Sequence, residues 1–420
     1  MQKRFCYYRN SWHKLGGMQA FLPSKSLELL QGGQAFFPAL IQAVDAATVS
    51  VQLETYLFDL HGAGADVAEA LLRAARRGIV VQVLVDGIGS EPLSPEWQQK
   101  MAEAGVQWCV YSPVGAGLKG LGLLMPDRWR RLHRKLCVVD EHIAFCGGIN
   151  ILDDFYDPHH GALQAPRFDF AVQATGPLAA QMHEAVSLLW WRVQAGYSAR
   201  KRHLSAAWDK FKEAGYGGRT PSLMHSTKAG AQAALVLRDN LLNRSSIEKA
   251  YLQAVGKARS EVLIANAYFV PGRKLRRALS GAAQRGVKVT LLLQGKYEHF
   301  MAHYAARPVY GALLKAGVEI HEYEASFLHA KVAVVDGHWA TVGSSNLDPL
   351  SLLLAREANV VVEDKAFAGQ LREQLCAAIA LHGSRIDPTV YSQRPLGQRL
   401  LGYVAYALMR LGVWIAGKRY

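Results

Sequence analysis

The chain is poor in cysteine, with Cys6, Cys109, Cys137, Cys146 and Cys376 the only five among 420 residues. They are odd in number, scattered and never spaced Cys-x-x-Cys, which argues against a disulfide framework and against a thiolate zinc site. A reducing, cytoplasmic setting fits that usage. Long hydrophobic runs are also missing. The most apolar stretch, 397–417, holds uninterrupted apolar runs of only about ten residues, against the roughly twenty needed to span a bilayer. Met1 through Gly17 is basic and aromatic without a continuous apolar core, so no secretory signal is expected. Acidic residues are the minority, 34 against 48 Lys and Arg, for a net charge of +14. That balance favours anionic partners, either phospholipid surfaces or nucleic acid.

What the chain does have is one stretch written twice. His133 opens His-Arg-Lys-Leu-Cys-Val-Val-Asp, ending at Asp140, with Gly147, Gly148 and Asn150 beyond. His329 opens His-Ala-Lys-Val-Ala-Val-Val-Asp, ending at Asp336, with Gly343, Ser344 and Asn346 beyond. Both copies place Lys two, Asp seven, Gly fourteen and Asn seventeen residues after His, and they lie 196 residues apart. A lone His-x-Lys pair would carry little weight. Five positions repeated at one spacing point to two halves of a single active site.

The β-branched runs after each His-x-Lys predict strands. Residues two apart share a strand face, so His133 lies beside Lys135 and His329 beside Lys331. Two imidazoles and two ammonium groups suit an anionic phosphorus centre. One neutral histidine attacks, the other protonates the leaving oxygen, and the lysines offset charge on the equatorial oxygens. Asn150 and Asn346 add amide donors. Asp140 and Asp336, at an odd offset and about 23 Å along an extended strand, are placed to cap a turn through backbone N–H groups rather than to orient their own histidine. Asp169 and Glu357, each early in a second apolar strand, are the better orienting carboxylates.

The surrounding order repeats too. A helix at 36–46, a strand at 48–57, a helix at 66–77 stopped by Gly78, and a buried strand at 79–85 are replayed by 247–259, 262–270, 275–285 with Gly286, and 287–293. This alternation predicts an α/β fold of two duplicated halves, each a mixed sheet flanked by helices, with a shared active site at their interface. The expected divisions are a basic N-terminal segment 1–27, a first half 28–199, a connector 200–233, a second half 234–385 and an amphipathic tail 386–420. Arg128, Trp129, Arg130, Arg131 and Arg134 form a basic cluster before the first motif, suited to lipid headgroups. In the tail, Arg399, Tyr403, Tyr406 and Arg410 fall on one narrow helical face of an otherwise apolar wheel. An interfacial helix and a helix packed on the body are both open there.

The double His-x-Lys-x4-Asp pattern resembles the signature of the phospholipase D superfamily. Ala265-Asn266-Ala267-Tyr268-Phe269 and the run from Trp339 to Pro349 narrow the resemblance to bacterial cardiolipin synthases of the shorter B type, over roughly residues 28–385. It implies phosphatidyl transfer through a phosphohistidine, turning phosphatidylglycerol into cardiolipin with release of glycerol. It implies catalytic roles for His133, Lys135, Asp140, His329, Lys331 and Asp336, with attack by the first copy, His133. Asn150, Asn346, Ser344, Asp169 and Glu357 would bind phosphate or orient, and Arg128, Arg130 and Arg131 would meet headgroups. No cofactor and no metal are expected, and no specific nucleic acid. The expected place is the cytoplasmic face of the bacterial cell membrane, as a peripheral protein. Gly148, where the second copy has Ser344, leaves the family's hydroxyl absent from the first half. A phospholipase D or nuclease using water, and a silent lipid-binding scaffold, are the competing readings. Two intact reactive motifs weigh against the scaffold.

Overall fold

The repeated apolar runs form strands, and the elements around them repeat in step. The computed structural model describes residues 21–23, 26–113, 131–158, 160–200, 231–239, 243–296, 300–348 and 355–417. After a short strand β1 (Leu22–Pro23), the first half runs β2 (Ser26–Gln31), α1 (Gly32–Asp45), β3 (Ser50–Thr55), α2 (Ala63–Arg76), β4 (Val80–Asp86), α3 (Pro95–Ala104) and β5 (Gln107–Tyr111). It continues with β6 (Arg131–Leu132), β7 (Leu136–Val139), β8 (Ile143–Gly147), a hairpin of β9 (Tyr156–Asp157) and β10 (Gly161–Ala162), β11 (Phe170–Thr175) and α4 (Pro177–Arg200). The second half holds β12 (Gln232–Arg238), α5 (Ser246–Lys257), β13 (Glu261–Asn266), α6 (Arg273–Gln284), β14 (Lys288–Gln294), α7 (Phe300–Lys315) and β15 (Glu319–Tyr323). Then come β16 (Lys331–Val335), β17 (Trp339–Gly343), β18 (Ala355–Glu363), α8 (Lys365–His382), β19 (Gly383–Arg385), α9 (Pro388–Ser392) and α10 (Leu396–Gly417).

The first sheet has the order β2-β11-β8-β7-β3-β4-β5, and the second repeats it as β12-β18-β17-β16-β13-β14-β15, with β1 and β19 added at the edges. In each of these orders three strands are parallel and the rest antiparallel, and the short β6 joins the second sheet by a parallel pairing with β18. These are the mixed sheets expected from the alternating pattern. Gly78 and Gly286 follow α2 and α6 at φ +84° and +88°, a left-handed conformation that ends both helices at the predicted places.

Period-two alternation deals each strand's side chains to two cores. Leu136 and Val138 enter a core between the two sheets, together with Val332, Val334, Ala340 and Val360. Cys137 and Val139 face the outer core under α1 and α2, and Ala333 and Val335 face the one under α5, α6 and α7. Cys137 and Cys146 are buried free thiols, the small core residues expected from the sequence, and burial pushes both thiols up to about 12. The central strands of the two sheets therefore meet face to face, which brings the two repeated motifs together.

No helix among the described residues is long and apolar enough to cross a membrane. In the tail, Ala405 is buried and Tyr406 and Met409 pack on the outer core of the second half. Leu400, Val404, Leu408 and Leu411 are exposed. Tyr406 thus leaves the polar stripe drawn on the helical wheel and faces the body, with the Arg276 guanidinium 5.8 Å from its ring. The tail helix is both packed and half bare. The connector expected at 200–233 lies, apart from its ends, outside the described residues.

Candidate active site

Each repeated histidine stands just before its strand, where the chain crosses to the opposite half. Strand β6, immediately ahead of His133, stands outside the first sheet and pairs in parallel with Ala355 and Arg356 of β18. His133 N–H then donates to the Arg356 carbonyl at 3.0 Å. The second copy does the same in reverse. Leu328 bridges to Phe168, and His329 N–H donates to the Phe168 carbonyl at 2.9 Å.

This crossing delivers the orienting carboxylates. Glu357 follows Arg356, and its Oε2 lies 3.0 Å from His133 Nδ1. Asp169 follows Phe168, and its Oδ2 lies 2.6 Å from His329 Nδ1. Each half supplies the carboxylate for the other half's histidine. A carboxylate at Nδ1 holds the neutral imidazole in the tautomer that leaves the Nε2 lone pair free, and it stabilises the imidazolium once a proton arrives. Ser344 Oγ donates to Glu357 Oε2 at 2.6 Å and accepts from Ala358 N at 3.0 Å. At Gly148 a Cβ would lie 2.3 Å from Asp169 Oδ1. The missing hydroxyl of the first copy thus has a steric reason: the shorter carboxylate stands where that side chain would go.

The lysines are buried, Lys135 at 5% exposure and Lys331 at 0%. Lys135 Nζ donates to the His133 carbonyl at 3.0 Å, and Lys331 Nζ to that of His329. Burial, and then the neighbouring Lys331, bring Lys135 down to about 7. Burial lowers both histidines below their ordinary value. For His133 the Glu357 charge works against it, while His329 is driven well down by burial and then by Lys331 and Lys135. Burial lifts Asp169 to about 7 against the pull of Lys331. Two neutral imidazoles beside two buried amines make an anion-hungry site, since a phosphodiester restores the charge that burial disfavours.

His133, Lys135, His329, Lys331, Asp169, Glu357 and Ser344 are thereby brought together. Asp140 and Asp336 are not. Asp140 accepts from the backbone N–H of Thr48, Val49 and Ser50 at 2.8–2.9 Å, at the far end of β7 from His133. Asp336 accepts from Arg259, Ser260 and Glu261 in the same way. The N–H groups they tie belong to the loop entering the neighbouring strand, not to the turn after their own. Asn150 Oδ1 accepts from Leu57 N at 3.3 Å, and Asn346 is buried at 3% exposure. Arg128 and Arg130 lie outside the described residues. Arg131 is engaged internally, 3.2 Å from the fully buried Asp86. Arg134 departs from the basic-cluster expectation: it is buried and paired with Glu54 at 2.9 Å.

Sequence reasoning passed over Tyr56. Its ring lies 5.0 Å from the His133 imidazole and 5.5 Å from Lys135 Nζ, closing one side of the site. Its only signal is an aromatic residue just after strand β3. Asp86 was missed as well. It accepts from Leu132 N at 2.8 Å and so anchors the residue before His133.

Two like α/β halves that close a pair of histidine–carboxylate couples at their joint have the architecture of a phospholipase D-like enzyme. The family described as cardiolipin synthase, PLD-like domain, matches residues 40–158 and 251–378. Cardiolipin synthase B of Escherichia coli strain K12 is 37% identical over 388 residues, covering 91% of this chain and 87% of that protein. Cardiolipin synthase A of Cronobacter sakazakii is 30% identical over 389 residues, covering 92% and 76%. The chain belongs to the cardiolipin synthase family of PLD-like proteins, enzymes of the phosphatidyltransferase type. The crystal structure of phosphatidylserine synthase from Haemophilus influenzae Rd KW20 shares the fold, with a TM-score of 0.68 at 15% identity over 95% of this chain and 97% of that one.

Proposed function

We propose that this protein makes cardiolipin from phosphatidylglycerol at the site formed by His133 and His329. The observation that carries the reading is the crossed pair of couples, His133 with Glu357 and His329 with Asp169, because a carboxylate on each Nδ1 leaves Nε2 for the substrate. Lys135 and Lys331 are close enough for their charges to act on both rings. His133 Nε2, in the first copy as the resemblance implies, attacks phosphorus. His329 enters this step as an imidazolium, protonated on Nε2 when the anionic lipid binds and held by Asp169. The bond from phosphorus to the glycerol oxygen breaks, and that oxygen takes the Nε2 proton of His329. An acceptor hydroxyl, that of a second phosphatidylglycerol, then gives its proton to His329 and attacks phosphorus, and the P–N bond breaks. Lys135 and Lys331 offset charge on the non-bridging oxygens, with Ser344, Asn150 and Asn346 supporting the site. The partners are anionic phospholipids, met at the cytoplasmic face of the cell membrane. The half-bare α10 and the net charge of +14 support that placement.

Transfer and hydrolysis compete for the phosphohistidine, and lipid hydroxyls at a membrane surface outnumber productive waters in a site walled by Tyr56 and the buried strands. Purified protein with labelled phosphatidylglycerol is expected to release glycerol and form cardiolipin, with phosphatidic acid as the lesser product. Neutralising Arg128 and Arg130 is expected to move the ratio toward phosphatidic acid. Arg131 is left out because it is tied to Asp86. Phosphatidic acid as the chief product of the wild-type protein would replace the synthase reading with a phospholipase.

A further inference from the structure

The two couples match in geometry but rest on unlike foundations. Strand register makes Glu54 the counterpart of Ala265, Asp86 of Gln294, Tyr111 of Tyr323 and Arg356 of Phe168, and the motif spacing pairs Arg134 with Ala330. At the matching positions beside His329 the side chains carry no charge: Ala265 and Ala330 are buried, and Phe168 stacks on Tyr323 with ring centroids 5.2 Å apart. The nearest ion pair there, Arg167 with Asp157 at 2.6 Å, uses other positions. Behind His133 the setting is ionic. Arg134 Nη2 lies 2.9 Å from Glu54 Oε1, Arg356 Nε donates to Tyr111 Oη at 3.0 Å, and the Arg356 charge acts on both Glu54 and Arg134. The strand entry follows suit, since Leu132 N donates to a carboxylate, Asp86, and Leu328 N to an amide, Gln294.

Burying such ions costs free energy, and at the matching positions the second copy closes the same fold with uncharged side chains. The fold alone therefore does not demand them. Their positions are informative: Arg134 follows His133, and Arg356 precedes Glu357 from the other half. A glutamate also has one more rotatable bond than an aspartate, so the His133–Glu357 couple has more freedom to lose than His329–Asp169. We infer that Glu54, Arg134, Arg356 and Tyr111 form a positioning network that holds the His133–Glu357 couple in register across the joint. Buried charge is suited to fixing register, because a slipped arrangement strands an unpaired ion. None of the four touches the reacting atoms in this account; they act through the couple.

The triple variant E54A/R134A/R356F transplants the second half's own solution into the first, with the introduced phenylalanine ring free to stack on Tyr111 as Phe168 does on Tyr323. In protein labelled with 15N-histidine, the two Nδ1–H resonances are assigned from His133→Ala and His329→Ala. The triple variant is expected to remain folded, to broaden or lose the His133 resonance and to keep that of His329. Its kcat for phosphatidylglycerol consumption should fall about tenfold with KM little changed, the scale of a lost orienting partner. Arg356→Lys, which keeps the charge, should retain more kcat than Arg356→Phe. If the triple variant fails to fold, Tyr111→Phe, which removes one hydroxyl and keeps the shape, is expected to perturb the same resonance and lower kcat. An unchanged His133 resonance together with wild-type kcat in whichever variant is folded would overturn the proposal. The turnover arm rests on the phosphatidyl-transfer reading, whereas the resonance arm needs no substrate, so the two can fail separately.

Discussion

Glu357 lies 224 residues after His133 in the chain, yet its carboxylate is 3.0 Å from the imidazole Nδ1. Neither half holds a complete couple by itself. His133→Ala and His329→Ala are each expected to abolish most turnover in folded protein. Glu357→Gln and Asp169→Asn keep the shape but can hold the wrong tautomer, and should lower kcat by about 100-fold or more. Turnover measured beside a thermal melt of each variant checks this. A folded Glu357→Gln protein with near wild-type kcat would remove Glu357 from the mechanism.

The lysines should show in a pH profile. Burial brings Lys135 down to about 7, so its ammonium form dominates below that pH and is lost as pH rises through it. Activity at subsaturating substrate should accordingly decline above about pH 7. Lys135→Arg, whose charge persists, should carry activity further into the alkaline range. Lys135→Ala and Lys331→Ala should each cost about 100- to 1000-fold in kcat, the scale of a lost oxyanion donor. An alkaline limb that does not move in Lys135→Arg would assign it to another group.

Asp140 and Asp336 should behave as structural residues. Burial pushes Asp336 up, but the N–H groups of Glu261, Ser260 and Arg259 outweigh it and hold the carboxyl at about 2. A carboxyl depressed in the folded state stabilises above its unfolded value near 4 and loses that contribution as pH falls toward 2. Asp336→Asn should therefore lower the melting temperature at neutral pH by about a degree, the shift that about 1 kcal/mol for a lost backbone cap gives in a chain of this length. The gap from wild type should close in acid, with kcat nearly unchanged. A stable but inactive Asp336→Asn protein would place that carboxylate in the chemistry after all.

The tail separates two roles on one helix. Leu400, Val404, Leu408 and Leu411 are exposed, while Ala405, Tyr406 and Met409 pack on the body. Leu400→Ser, Leu408→Ser and Leu411→Ser combined should weaken sedimentation with anionic vesicles while leaving the melt close to wild type. Truncating the chain before Gly397 removes this helix and uncovers the outer core as well, so stability should fall along with binding. Undiminished vesicle binding by the triple variant would put the membrane contact elsewhere.

Strand alternation and helix stops made the duplicated α/β plan legible from residues alone, because period-two and period-3.6 patterns are local properties. Helix α2 begins at Ala63, three residues before the expected Asp66, which is the usual uncertainty of a helix end. Asp169 and Glu357 stood out as carboxylates inside apolar strands. Which histidine each one serves was not legible, since that depends on β6 crossing to β18, a pairing of residues distant in sequence. Arg134 illustrates the opposite case. It sits between His133 and Lys135, so alternation alone turns it to the other strand face, where Glu54 waits inside β3. Counting it with its exposed-looking basic neighbours obscured that.

The exchange of carboxylates between halves also sets a clock on synthesis. Domains form from the amino end as the chain leaves the ribosome, so His133 and Lys135 are translated long before Glu357, and His329 can meet Asp169 only after the second half emerges. A partly made chain holds one imidazole without its carboxylate and no partner to share the proton. Lipid turnover must therefore begin late, once β18 has been made and has docked. Stalled nascent chains ending ahead of residue 355 should consume no phosphatidylglycerol, even where the first sheet has already closed around His133.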